Sequence, residues 1–265
     1  MKSNNVYLKD NAIVGARPIG VHLDFVTNVT LTNNFIMDVM PRKFGAGDGL
    51  VDKEACVAVC SYHTDGSACR DLTVTNNIAA GCKFAGFIAP GHDCDDNNSI
   101  RFRDNISHSN KGVGAAVYPD RNIGKNHNKC YEISHFKGYK TTLPCLATHY
   151  PSREIRAHDI TCIDSEGGVS LQTGVAGDDL TIKFYDSIVY GETAADDCPD
   201  VKTCYCPAKM GIMWFSNNVG NKDLHIPKKS ARPIHKIKSF GAFGGEAFIE
   251  NVTFKNFNTR GRTRC

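Results

Sequence analysis

Apolar and polar residues alternate along short stretches of this chain, and one such stretch keeps returning. It reads NVYLKDN from Asn5 to Asn11, NVTLTNN from Asn28 to Asn34, DLTVTNN from Asp71 to Asn77 and SIRFRDN from Ser99 to Asn105. Looser copies are EIRAHDI at Glu154, DLTIKFY at Asp179 and NVTFKNF at Asn251. The second and fourth positions are apolar, while the third and fifth are mostly Thr, Lys, Arg or His. A period of two marks a strand buried on one face. The pattern predicts that Val6, Leu8, Val29, Leu31, Leu72, Val74, Ile100, Phe102, Val252 and Phe254 point inward. Thr30, Thr73, Arg101 and Thr253 should then point outward. An Asn closes four of the copies, at Asn11, Asn34, Asn77 and Asn105.

The copies start at 5, 28, 71, 99, 154, 179 and 251. The shorter gaps match about one coil of a solenoid, roughly 20–30 residues. The gaps of 43, 55 and 72 residues read as two, two and three coils, some with inserted loops. The L-x-x-L-x-L frame of leucine-rich repeats is absent. The expected fold is therefore all-β: a right-handed parallel β-helix with disulfide-stapled side loops, one domain over residues 1–265. A single coil cannot bury its apolar side alone, but stacked coils can, and their closing Asn residues can hydrogen-bond as a ladder. Further strands are expected at Gly20–Leu23, Ala55–Val59, Phe84–Ile88, Gly114–Tyr118 and Met210–Ser216. Residues 41–70, 119–150, 192–209 and 217–238 read as loop-rich breaks. No helical periodicity exceeds two turns.

Apolar residues make up 41% of the chain and charged residues 22%, which suits a packed globular core and not a disordered segment. A net charge of +3 is too weak to imply nucleic acid. No apolar run reaches the roughly 18 residues of a membrane span. The N-terminus enters a strand at once and shows no signal-peptide core. Yet twelve cysteines, with no paired C-x-x-C zinc pattern, point to disulfides in an oxidising compartment. The expectation is a segment of a longer secreted chain. Cys82 with Cys94 is the expected clip around one strand, followed by Cys60 with Cys69 and Cys130 with Cys145. Cys198 and Cys204 fall in a disulfide-stapled surface insertion. Four N-x-S/T sequons occur, at Asn28, Asn97, Asn105 and Asn251. Asn97, Asn28 and Asn251 are the expected carriers of N-linked glycans, whereas Asn105 holds a ladder position and should carry none.

Catalytic chemistry has weak footing. The acidic clusters are Asp93/Asp95/Asp96, Asp178/Asp179 and Asp196/Asp197. A pectinase-like set would need N-T-D, D-D, G-H-G and R-x-K on successive coils, and here Gly91-His92 precedes Asp95-Asp96 with no N-T-D. A calcium loop would need Gly and Glu at EF-hand positions, which are missing. The His residues form no H-x-x-x-H pair, and no G-x-S-x-G is present. From Asn221 to Cys265 the charge is +7, leaving −4 for the remainder, which suits an acidic glycan or a neighbouring subunit as well as a solvated loop. No cofactor is expected.

The segments CKFAGFIAPGHDC, DNISHSNKGVGAAVYPD, KMGIMWFS and HKIKSFGAFGGEAFIENVTFKNF, in that order, resemble the late parallel β-helix region of the fibrocystin and fibrocystin-L family. The resemblance runs from about Asn5 to Asn258. It implies a large cell-surface or ciliary glycoprotein with no established catalytic residues in this region. The expected function is thus a non-catalytic rod segment of an extracellular assembly, whose partners are other subunits or flanking domains. The alternative is a carbohydrate-cleaving or glycan-binding β-helix, which a groove of acids and aromatics on one sheet would favour.

Overall fold

The computed structural model describes residues 3–23, 26–40, 54–59, 70–94, 100–118, 127–148, 152–165, 167–173, 180–191, 211–216 and 245–257. They form a parallel β-helix, with no helix among the described residues. The first coil holds β1 (Ser3–Lys9), β2 (Ala12–Val14) and β3 (Val21–Leu23). The second holds β4 (Val26–Thr32), β5 (Phe35–Met37) and β6 (Ala55–Val59), and the third β7 (Arg70–Thr75), β8 (Ile78–Ala80) and β9 (Ala85–Pro90). A short β10 (His92–Asp93) follows. The fourth coil holds β11 (Ile100–Arg103), β12 (Ile106–His108) and β13 (Val113–Tyr118). The fifth holds β14 (His127–Ser134), β15 (Lys137–Tyr139) and β16 (Leu146–Thr148). The sixth holds β17 (Ser152–His158), β18 (Thr161–Ile163) and β19 (Val169–Thr173). The seventh holds β20 (Leu180–Tyr190) and β21 (Ile212–Ser216), and β22 (Gly245–Lys255) lies beyond it.

Each strand pairs in parallel with its counterpart one coil away, so three sheet faces run along the axis. The first face stacks β1, β4, β7, β11, β14, β17, β20 and β22. The second stacks β2, β5, β8, β12, β15 and β18, then the second halves of β20 and β22. The third stacks β3, β6, β9, β13, β16, β19 and β21. Among the described strands only β10 runs antiparallel, against β14. Register places like on like: Leu8 on Leu31, Leu31 on Val74, Val74 on Phe102, Ile133 on Ala157 and Ala157 on Phe184. From Leu31 to Phe184 these side chains are buried. Phe102 links the faces by packing edge-on to Phe87 at 5.7 Å and against Phe136 at 6.2 Å. Such columns remove apolar surface from water on both sides of each side chain.

The Asn doublets of the repeat do two jobs. The first residue of each corner has positive φ: Asp10, Asn33, Asn76, Asp104, His135, Asp159, Asp186 and Asn251 lie between 48° and 58°. Asn and Asp visit that left-handed region at lower cost than other side chains. The second residue is the ladder. Asn34 Oδ1 accepts from Asn11 N and Nδ2, Asn77 Oδ1 from Asn34, and Asn105 Oδ1 from Asn77, at 2.9–3.1 Å. The ladder position then passes to Phe136, Ile160 and Ser187, whose hydroxyl accepts from Ile160 N at 3.0 Å.

The structure corrects the coil count. The gap of 43 residues is one coil with a long loop, since β4 pairs β7 directly. The gap of 72 is not a whole number of coils: Tyr185 pairs Glu250 and Ser187 pairs Val252, so Asn251 stands level with Asp186 and the NVTFKNF copy lies past the corner, on the second face. The gap of 55 is two coils as expected, but its extra coil begins at β14, inside a stretch read as loop. Phe254 continues the interior column above Val189 yet is 40% exposed, because no described strand pairs with the far edge of β22.

The disulfides also differ from the expected local clips. Cys82 pairs with Cys56, Cys94 with Cys130 and Cys145 with Cys162. Cys82 and Cys94 flank β9, and a six-residue strand is a spacer of about 20 Å, far beyond the roughly 4.4–6.8 Å that a disulfide spans between Cα atoms. Adjacent coils instead bring Cys56 to Cys82 and Cys145 to Cys162, and β10, lying antiparallel on β14, brings Cys94 to Cys130; each Cα–Cα separation is 5.5–5.8 Å. Cys130 and Cys145 are separated in the same way by β15. Cys60, Cys69, Cys198 and Cys204 lie outside the described residues.

Candidate functional site

Outward positions on the first face carry polar side chains, because the same alternation that buries Ile133, Ala157 and Phe184 turns their neighbours to solvent. From the fifth to the seventh coil these neighbours form one charged cluster. Glu132, Arg156 and Lys183 occupy one column, and Ser134, His158 and Tyr185 the next. His158 is held from both sides: Nε2 lies 3.2 Å from Glu132 Oε1 and Nδ1 lies 2.7 Å from Asp159 Oδ2. Its ring stacks on Tyr185 at 4.8 Å, and His135 meets it edge-on at 5.9 Å. The hydrogen bond that His158 donates to Glu132 is the largest influence on the ring and raises its pKa above the ordinary histidine value, against the opposing effect of burial. Burial raises the Tyr185 pKa, and the charge on Glu132 adds to it.

Glu154 forms the second centre. Its Oε1 accepts from Arg156 Nε and from Lys183 Nζ, both at 2.9 Å. Burial pushes its pKa up, but the two cationic donors together hold it below the usual value. The cluster is thus close to self-neutralised, with both imidazole nitrogens of His158 committed to carboxylates. A general base needs a nitrogen free to take a proton from substrate, and this arrangement offers none on His158. No group of three metal-ligating side chains occurs among the described residues.

The second face is different. Val14, Phe35 and Ile188 are exposed at 62%, 37% and 41%, and His108 stacks flat on Tyr139 at 4.6 Å. Burial lowers the pKa of His108.

The sequence-level candidates scatter. Asn28 and Asn251 are exposed, each at positive φ, with Asn28 Nδ2 donating to Asn5 Oδ1 at 2.6 Å and Asn251 Nδ2 donating to Asp186 Oδ1. Asn105 is completely buried in the ladder, its amide donating to Val74 O at 2.8 Å. Asp93 lies in β10, while Asn97, Asp95, Asp96, Asp178, Asp179, Asp196, Asp197 and the basic stretch around Lys228, Lys229 and Arg232 lie outside the described residues. The His158 cluster escaped the sequence reading because no two of its His residues fall within one short motif. Its signal was the coil period: Glu132 to His158 and His158 to Tyr185 are each about one coil apart. No helix among the described residues is long and apolar enough to cross a membrane. No family model, no curated protein and no solved structure matches the chain.

Proposed function

We propose that the chain is a non-catalytic structural segment of an extracellular glycoprotein assembly, a stiff rod that meets other subunits or flanking domains. The observation that carries this reading is the unbroken stacking of its corners. The left-handed column recurs from Asp10 to Asn251, and the ladder joins four successive coils. A solenoid so locked end to end has the repetition of a spacer. Inter-coil disulfides suit an oxidising compartment. The one titratable cluster described on the first face is closed on itself, which favours scaffold over catalyst. The order of segments resembling the fibrocystin family is a sequence argument for the same surface glycoprotein, with N-linked glycans on its loops and corners.

Imaging the protein from its native source tests the reading. An ordered polymer or a longer fused solenoid supports it, and isolated particles that degrade hyaluronan or pectin would overturn it. A second reading, glycan binding, is favoured by one observation: Arg156, Lys183 and Tyr185 share the outer face of the first sheet. Retention on an immobilised acidic glycan, lost on Arg156→Ala, would select it.

A further inference from the structure

We infer that the three disulfides among the described residues form a covalent spine that lets the solenoid carry tension along its axis, an inference that rests on the rod reading above. In a β-helix the strands lie across the axis and the inter-coil hydrogen bonds lie along it. Axial load therefore opens coils one after another, each resisting only with its own bonds. A staple between adjacent coils stops this peeling. Cys56 of the second coil joins Cys82 of the third. Cys94, just after the third coil, joins Cys130 of the fifth, and Cys145 of the fifth joins Cys162 of the sixth. The bridges thus act in series from the second coil to the sixth.

The intervening chain shows how much slack remains. The bridges close loops with sequence separations of 26, 36 and 17 residues. Tension applied from outside bypasses these loops, and the whole fourth coil, β11 to β13, lies within the one closed by Cys94 and Cys130. Of about 106 residue steps between Cys56 and Cys162, only about 27 can extend, so the segment reaches about 95 Å instead of about 370 Å at ~3.5 Å per residue. Two of the bridges are sealed from solvent: Cys56, Cys82, Cys145 and Cys162 are completely buried, out of reach of a thiol while the coils are closed. Cys94 and Cys130 are half-buried.

The test is single-molecule stretching of the full chain between terminal handles, carried to complete opening. C94S/C130S should lengthen the opened chain by about 125 Å, C56S/C82S by about 90 Å and C145S/C162S by about 60 Å, each set by its own loop. Cys94 and Cys130 are the pair whose loss the core tolerates best. Where a buried pair fails to fold, wild-type protein opened before and after adding a phosphine reductant supplies the comparison, with an increase of at least 275 Å expected. Lengthening in these proportions supports the spine. A wild-type chain that already opens to the length of C94S/C130S, or no gain on reduction, overturns it. These outcomes stand whether native material is polymeric or not, so failure of the spine and failure of the rod reading are told apart.

Discussion

Replacing Asn77 with Ala should cost far more than the same change at Asn11, although both close the same repeat. Asn77 is completely buried. Its Oδ1 accepts from Asn34 N at 3.0 Å and from Asn34 Nδ2 at 2.9 Å, and its Nδ2 donates to Leu31 O, Thr75 O and Asn105 Oδ1. Alanine removes all of these. Some partners keep a second bond: Asn34 Nδ2 still donates to Leu8 O and Thr32 O, and Thr75 O still accepts from Asn33 N. The backbone N–H of Asn34, only 2% exposed, loses its acceptor. An orphaned buried donor costs about 1–3 kcal/mol, and each further lost bond about 1 kcal/mol, so the total is about 3 kcal/mol. Asn11 is exposed, and Asn34 Oδ1 keeps its bond from Asn11 N when the Asn11 side chain is gone. That loss should stay near 0.5 kcal/mol, the low end for a net hydrogen bond. Urea unfolding followed by far-ultraviolet circular dichroism, disulfides intact, separates the two. With a slope of about 2–3 kcal/mol/M, the Asn77→Ala midpoint should fall by roughly 1 M and that of Asn11→Ala by about 0.2 M. Equal shifts would mean that the ladder contributes no more inside the stack than at its end, and the reasoning fails.

Glycopeptide mass spectrometry of native protein should find sugar on Asn28 and Asn251, which face solvent, and none on buried Asn105. Gly86→Ala should destabilise by about 1–3 kcal/mol, since its new methyl would overlap Ser107 Oγ and the Gly114 carbonyl; an unchanged melting temperature would mean that β9 does not pack so closely there. His158 has a folded pKa above its ordinary value of 6.5, so its contribution is fully present below 6.5 and is lost as pH rises through the raised value. Glu132, Asp159, Tyr185 and His135 all face the ring, and only the two carboxylates hold the proton on. Wild type should therefore lose stability relative to His158→Gln as pH rises from 6.5 towards 9, and parallel pH curves would refute the pairing. Glu154 works in the opposite sense. Its contribution is present above 4.5 and lost as pH falls through its lowered value, so Glu154→Gln should narrow the gap to wild type in acid.

Strand positions and the Asn ladder were legible because both are local. The alternation in NVTLTNN puts Val29 and Leu31 inside and Thr30 at the surface, and the closing Asn34 is buried as its repeat position implied. The doublet itself carried more than was read from it. Asn33 and Asn34 are chemically identical, yet one is chosen for its left-handed backbone and the other for its amide. The difference appears only when the column is followed through Asp104, His135 and Asp159, where the first position tolerates other side chains but keeps positive φ.

Relations between coils were not legible, and the reason is metrical. A strand converts sequence separation into distance, whereas a coil cancels it. Cys82 and Cys94 are close in sequence and are held apart by β9, while Cys94 and Cys130 are 36 residues apart and touch. Glu132, His158 and Tyr185 meet by the same cancellation. Finding such groups from sequence requires every residue to be assigned a coil and a height within it. Loops of unequal length between the strands defeat that assignment: 43 residues from Asn28 to Asp71 and 27 from Glu154 to Thr181 both amount to one turn. The corners escape this because each is two residues wide at every level. A solenoid of this kind can therefore vary its loops freely, with cysteines and charged clusters placed by coil height, as long as the left-handed corner and its following residue stay in step.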